Sequence, residues 1–140
     1  NMIAEADTIY EVKMMFPKIR YMFEKHLTFL KERKVPLNEL AFTKRTSKAF
    51  DEYEDRNTIE KNALSNLRGE GKSLRAGQIL KYIITDYYRK GSKIRSIPIE
   101  LATSQTKYDI KRYCEILEQV TNTVTEPFGL SIKNQSMISL

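Results

Sequence analysis

Cysteine is almost absent from this 140-residue chain. Cys114 stands alone, so neither a disulfide framework nor a thiolate metal cluster can form within it. Long apolar runs are missing too. No window approaches the roughly 18 consecutive apolar residues of a membrane span, and the N-terminal residues carry no signal-peptide pattern. A reducing, cytoplasmic compartment with no membrane partner is therefore expected. Neither G-x-x-x-x-G-K-[ST] nor G-x-G-x-x-G occurs, so the usual glycine-rich nucleotide cradles are excluded. His26 is the single histidine and falls on an apolar helical stripe, where a half-buried packing role is expected of it rather than metal ligation. Cys114 also falls on such a stripe and reads as a small hydrophobe. No carboxylate pair stands in an apolar setting. The acidic run Asp51-Glu52-Tyr53-Glu54-Asp55 has the donors for a divalent cation, but a solvated loop is the commoner use of such a run. No catalytic residue, metal ligand or cofactor is assigned to this chain.

What is present describes one globular domain with a real core. Hydrophobic residues make up 41% and charged residues 30%, which is ordinary for a folded protein of this size. The formal net charge is +6, which favours an anionic partner. Residues 43–95 hold 13 Lys/Arg against 7 Asp/Glu, whereas the rest of the chain holds 11 of each. The whole surplus therefore sits in the middle of the chain.

Periodicity predicts an α+β fold: two long helices plus a shorter helix, packed with a small, mostly antiparallel set of strands. A short first helix, capped at Asp7 or Thr8 with Glu11 completing a capping box, is expected to stop or kink at Pro17. A long amphipathic helix follows from Lys18 to about Arg33, with Ile19, Met22, Phe23, His26, Phe29 and Leu30 at helical spacing. Val35-Pro36 stops it, and Leu40 to Thr43 has strand character. Asn57 is the expected cap of a helix from Thr58 to about Arg68, closed by Gly69 and Gly71. Gln78 to Tyr87 is the clearest strand. Lys93 to Leu101 alternates in a way that turns Lys93 and Arg95 outward if Ile94 points in, and Pro98 argues for an edge. The last helix, Lys107 to about Thr125, carries Ile110, Tyr113, Cys114, Leu117, Val120 or Thr121, and Val124 on one stripe. Residues 1–130 are read as one domain and 131–140 as a tail.

The most informative stretch is Leu40 to Tyr53, L-A-F-T-K-R-T-S-K-A-F-D-E-Y. Thr43, Lys44, Arg45, Thr46, Ser47 and Lys48 offer hydroxyl donors and three positive charges in close order, which suits a phosphate backbone. A solvated, charged strand end is the competing reading. Lys72, Arg75 and the turn at Gly77 form a second basic stretch, in which backbone N–H groups exposed at glycine would add donors. Lys93 and Arg95 are weaker candidates.

Four stretches, in this order, resemble the C-terminal thumb of family B DNA polymerases of the archaeal type. Val35-Pro36 through Lys48, with Tyr53 following, resembles the V-P-x-x-x-L-x-x-x-K/R-x-x-(S/T)-(K/R)…Y opening of the thumb. Leu67 to Gln78 resembles the L-x-x-x-G-x-x-x-x-x-G segment that precedes a strand. Lys81-Tyr82-Ile83-Ile84-Thr85 stands where the family has its Y-I-I/V run. Lys107-Tyr108-Asp109-Ile110-Lys111-Arg112-Tyr113 resembles the K-Y-D-x-x-Y-Y opening of the final helix, and Phe128-Gly129 its F-G ending. The likeness covers about Thr8 to Leu130. It departs at Arg112-Tyr113-Cys114, where a second aromatic is usual, and the palm motifs and exonuclease carboxylates are not in this sequence.

The resemblance implies a thumb portion or small subunit that grips primer–template duplex during DNA replication. It would act through sequence-independent phosphate contacts and be inactive without its palm. Thr43, Lys44, Arg45, Ser47 and Lys48 would touch the primer strand and Tyr53 would orient their loop. Lys72, Arg75 and Gly77 would add contacts. Implied partners are double-stranded primer–template DNA and a palm domain or large subunit, with Mg2+ only in that palm; a nucleoid-associated location follows. Gln135 to Leu140 fits the first positions of a sliding-clamp-binding peptide, with Gln135 and Ile138 as its anchors. Two other readings stay open: a free-standing nucleic-acid-binding module, and a protein-docking domain. For the latter, Met14, Met15, Phe16, Tyr21 and Phe23 supply apolar surface on the N-terminal helix.

Overall fold

A computed structural model of the chain describes residues 2–47 and 58–133, with side chains from residue 10 onward except that of Val12. Within the span read as one domain, the chain forms two compact units. One comprises residues 1–34 and 110–140, the other residues 35–109.

The first unit is built on two helices, α1 (Met2–Lys31) and α3 (Ile110–Thr125). Helix α1 does not stop at Pro17, one of the two outcomes expected there, but runs on through it. Proline costs the bond to the carbonyl four residues earlier, but Pro17 stands on the exposed side, where water can satisfy that carbonyl. The buried stripe is Phe23, Leu27 and Leu30, an i, i+4, i+7 series that packs against α3. His26 is exposed rather than half-buried, and its ring meets Phe29 edge-on at 6.5 Å. Of the apolar cluster on this helix, Phe23 is buried, whereas Met14, Met15 and Tyr21 are exposed. Arg33 ends the helix in the left-handed region at φ 56°, and the Lys34 N–H donates to the Phe29 carbonyl at 2.9 Å, a Schellman closure without glycine.

Helix α3 buries Tyr113 and Cys114. It begins at Ile110 rather than Lys107, and Val120 and Val124 are exposed. A turn through Glu126–Phe128 closes on Gly129 at φ 76°. Beyond it, the Asn122 side chain bonds both the N–H and the carbonyl of Ile132, at 2.7 and 2.8 Å.

The second unit is a three-stranded antiparallel sheet with one helix on it. Its strands are β1 (Phe42–Arg45), β2 (Ile79–Ile84) and β3 (Ser96–Pro98), in the order β1-β2-β3. The helix is α2 (Ile59–Gly69), whose cap is Thr58: its hydroxyl accepts from the Lys61 N–H at 3.1 Å. Asn57 lies outside the described residues. Ile59, Ala63, Leu64 and Leu67 bury against the sheet residues Leu80, Tyr82 and Ile84. Pro98 sits on the edge strand opposite Tyr82, where a missing N–H costs least. This is the α+β class read from the sequence, with α2 as the sheet-packing helix of its unit.

The seam between α2 and β3 is polar. Asn62 Oδ1 accepts from the N–H groups of Arg95 and Ser96, at 3.0 and 3.1 Å. Asn66, one turn on, donates to the Ser96 carbonyl at 2.8 Å, and the Ser96 hydroxyl donates to the Ile59 carbonyl at 2.6 Å. All of these groups are buried or half-buried, so each bond replaces one that water would have made.

Candidate nucleic-acid interface

The register of β1 on β2 decides which basic side chains share a face. Phe42 pairs with Tyr82, Thr43 with Lys81, Lys44 with Leu80 and Arg45 with Ile79. Side chains alternate along a strand, and directly opposed residues share a side. The inner side is marked by Tyr82, whose ring lies 5.8 Å from that of Phe42 and whose hydroxyl donates to Glu60 of α2 at 3.3 Å. Thr43, Arg45, Lys81 and Ile79 therefore share the opposite side, and all four are exposed. Lys44 lies on the α2 side but is also exposed.

Lys81 lies outside the two basic stretches that stand out in the sequence. Its signal was legible, since the Leu80-Lys81-Tyr82 alternation already placed it on the outer side of the strand.

The two basic stretches expected from the sequence meet at Thr46. Its N–H donates to the Gln78 carbonyl at 2.8 Å. Its own carbonyl accepts from the Gly77 N–H at 2.6 Å. Its hydroxyl lies 2.8 Å from the Arg75 carbonyl and 2.9 Å from that of Gln78; with a single proton it donates to one at a time. Thr46 is 2% exposed, so in a string of similar hydroxyls it is the internal one, while Thr43 and Ser47 face solvent. Arg45 reaches the same turn, one guanidinium nitrogen donating to the Gly77 carbonyl at 2.8 Å. That bond orients an otherwise exposed cation.

The turn is Arg75–Gln78, closed by the Gln78 N–H on the Arg75 carbonyl at 3.0 Å. Gly77 occupies its third position at φ 89°, the conformation a type II turn requires there and that glycine adopts without strain. The sequence reading expected a glycine N–H free for phosphate at this point. It is instead engaged with Thr46, so what the turn offers outward is the exposed Arg75 side chain.

Lys72 is placed by the end of α2. Gly71 at φ 76° donates to the Arg68 carbonyl at 2.9 Å, and the Lys72 N–H donates to that of Leu67 at 3.2 Å. Both bonds of a Schellman motif are present. They turn the chain sharply and leave the Lys72 side chain exposed beside the negative helix end.

Arg95 does not belong to this surface. It is buried, its Nε donates to the Tyr87 carbonyl at 3.1 Å and its guanidinium lies 5.7 Å from the Tyr87 ring centre. Ile94, expected inward, is exposed. Strand β3 starts only at Ser96, so the alternation expected from Lys93 onward does not reach Ile94 and Arg95. Lys93 is exposed. Lys48, Tyr53, the acidic run 51–55, Gln135 and Ile138 lie outside the described residues. Among the described residues no group of three or more His, Cys, Asp or Glu could hold a metal ion, and no helix is long and apolar enough to cross a membrane.

No protein-family model matches the chain, and no curated protein matches it. Among solved structures, the fold is similar to part of the family B DNA polymerase from the hyperthermophilic archaeon Pyrobaculum calidifontis, with a TM-score of 0.68 and 23% sequence identity. The match takes in 81% of this chain and spans 15% of that polymerase. At this identity the likeness is one of fold: the chain has an α+β architecture found within a family B DNA polymerase.

Proposed function

We propose that this chain is the thumb portion, or a small subunit, of a family B DNA polymerase, and that it grips primer–template duplex through its phosphates. The observation that carries the reading is the convergence on Thr46: one hydrogen-bonded node joins the end of β1 to the Arg75–Gln78 turn, with the exposed cations Arg45 and Arg75 beside it. The fold likeness and the order of sequence motifs support the same assignment.

Thr43, Lys44, Arg45 and Ser47 would meet the sugar–phosphate backbone, with Lys48 and Tyr53 following in the sequence. Lys72 and Arg75 would extend the contact, and Lys81 joins them through its register with Thr43. Backbone contacts carry no sequence information, which suits a protein that must slide over any template. The chain's role is then positioning. Chemistry, and the Mg2+ that serves it, would belong to a palm domain or large subunit. Gln135 and Ile138 would anchor a sliding clamp.

The test is fluorescence anisotropy of a labelled blunt duplex titrated with this chain at several salt concentrations. Neutralising about 4–6 phosphates should give a slope of log K against log salt of roughly −4 to −5, with indifference to sequence. Absence of duplex binding at low salt would remove the proposal.

A protein-docking role is supported by a separate observation, the exposure of Tyr10, Met14, Met15 and Tyr21 along α1, each more than half exposed. In the polymerase reading the palm or large subunit would cover that side. Self-association of the isolated chain, abolished by Met14→Lys with Tyr21→Lys, is the expected behaviour, and a monomer at high concentration would count against it.

A further inference from the structure

One cleft of this basic protein is walled by acid. It measures about 440 Å³, a volume within the range of small-ligand sites. All of its lining residues belong to the unit of residues 35–109. The end of α2 contributes Asn66 and Glu70, the approach to β3 contributes Ile94, and β3 itself Ile97. The turn Ile99–Leu101 adds Glu100 and Leu101. The chain carries 24 Lys and Arg against 18 Asp and Glu, yet no lysine or arginine lines this cleft. Lys72, at the same helix end as Glu70, stays outside it.

Local bonds fix the walls. Ile94 is 55% exposed, but its backbone is held on both sides. Its N–H donates to the Ser92 hydroxyl at 3.1 Å, and its carbonyl accepts from the Thr85 hydroxyl at 2.7 Å. The turn that carries Glu100 is closed by the Ala102 N–H on the Ile99 carbonyl at 3.1 Å. Glu70 caps α2, its N–H donating to the Leu67 carbonyl at 3.1 Å, so its carboxylate adds to the negative end of the helix dipole. Asn66 donates to the Ser96 carbonyl at 2.8 Å and to Asn62 Oδ1 at 3.2 Å. Both partners are acceptors, which settles which amide atom is nitrogen. Its oxygen is the half left to accept.

A site with two carboxylates, an amide acceptor and a helix C-terminus calls for a donor that is positively charged. Its aliphatic wall of Ile94, Ile97 and Leu101 calls for methylene groups. A bare metal ion meets only the first need, and among the described residues no group of three or more His, Cys, Asp or Glu could hold one. We infer that the cleft binds an aliphatic polyamine, with ammonium groups at Glu70 and Glu100 and the methylene chain along Ile94, Ile97 and Leu101. A lysine side chain of a protein partner carries the same chemistry, but a concave site of this volume within one unit favours a free ligand. This site stands apart from the proposed DNA surface, whose ligand has the opposite charge.

The experiment titrates the full chain with spermidine, without nucleic acid, at physiological salt, and follows backbone amide shifts by NMR. The net charge of +6 repels cations from most of the surface, so a saturable response reports a local site. Shifts should be confined to residues 66–70 and 94–103. E70Q/E100Q should weaken binding about 2- to 30-fold, the sum expected of two exposed ion pairs. Ile94→Ser should weaken it about 2- to 4-fold by leaving methylene surface in water. All three side chains are exposed, so the variants should keep their fold, which unchanged amide spectra elsewhere verify. Mg2+ tests charge without a stem, and should leave these amides unmoved.

Equal affinity in wild type and E70Q/E100Q overturns the site, as do shifts spread over the other carboxylates of the chain. Mg2+ moving the same amides as spermidine would show a plain charge site and overturn the polyamine reading. Tighter binding of a capped lysine peptide than of spermidine would assign the cleft to a protein partner and overturn it too. Steep duplex binding with no spermidine response removes the cleft and leaves the thumb reading standing. Spermidine binding without duplex binding does the reverse.

Discussion

The Thr46 hydroxyl lies 2.8 Å from the carbonyl oxygen of Arg75, a contact between residues 29 positions apart that joins the end of β1 to the turn preceding β2. Thr46→Val keeps the side-chain shape and removes the donor. The substitution should cost about 1–2 kcal/mol of stability, from the lost bond and the carbonyl left without it. It should also weaken duplex binding with the salt slope unchanged, since no cation is lost. Urea denaturation and anisotropy read the two effects, and Thr46→Ser should restore most of both.

Lys44, Arg45 and Lys81 differ in the side of the sheet they take but not in exposure. Each alanine substitution should flatten the salt dependence of duplex binding by about one unit and weaken affinity equally on all sequences. Lys81 is the sharpest case, because only its register with Thr43 brings it into the surface. An unchanged slope in Lys81→Ala would leave that side of β2 as a solvated strand face.

Gly77 and Gly69 make a paired test of backbone conformation. A Cβ at either position would meet nothing within 4 Å, so crowding plays no part. Gly77 sits at φ 89°, and Gly77→Ala should destabilise the protein by about 1 kcal/mol or more. Gly69 is the last residue of α2 and has no positive φ. Gly69→Ala should stabilise by about 0.4–1 kcal/mol. Thermal melts of the two variants should move in opposite directions.

Asn62 accepts two backbone N–H bonds through one oxygen. Asn62→Ala would leave both donors buried and unpaired, at an expected cost of about 2–4 kcal/mol. Hydrogen exchange at Arg95 and Ser96 should accelerate with it. Asn62→Asp, which keeps an acceptor, should cost less. Equal exchange rates in the wild type and the alanine variant would show that α2 does not hold the strand this way.

Local pattern was enough for α2, where apolar spacing and the two glycines bounded the helix almost to the residue. It was enough too for β2, whose Ile and Tyr content is unambiguous, and for the edge position of Pro98. It failed where a distant partner decided. Pro17 reads as a stop or a kink, and its exposed position lets α1 run on through it. Strand β1 begins at Phe42 rather than Leu40 because its pairing is set by Tyr82 and not by the first apolar residue. Arg95 turns inward because its guanidinium bonds the Tyr87 carbonyl and lies against the Tyr87 ring, a partner its own neighbours do not announce. Among Thr43, Thr46 and Ser47 nothing local distinguishes the hydroxyl that serves the fold from those that face outward.

A helix resting on a sheet through aliphatic contacts alone is held by shape and packing, without directional bonds. The Asn62–Asn66 pair adds them. Two amides one turn apart grip successive backbone groups of β3, and any slide breaks several directional bonds at once. The seam thus resists shear more than it resists separation.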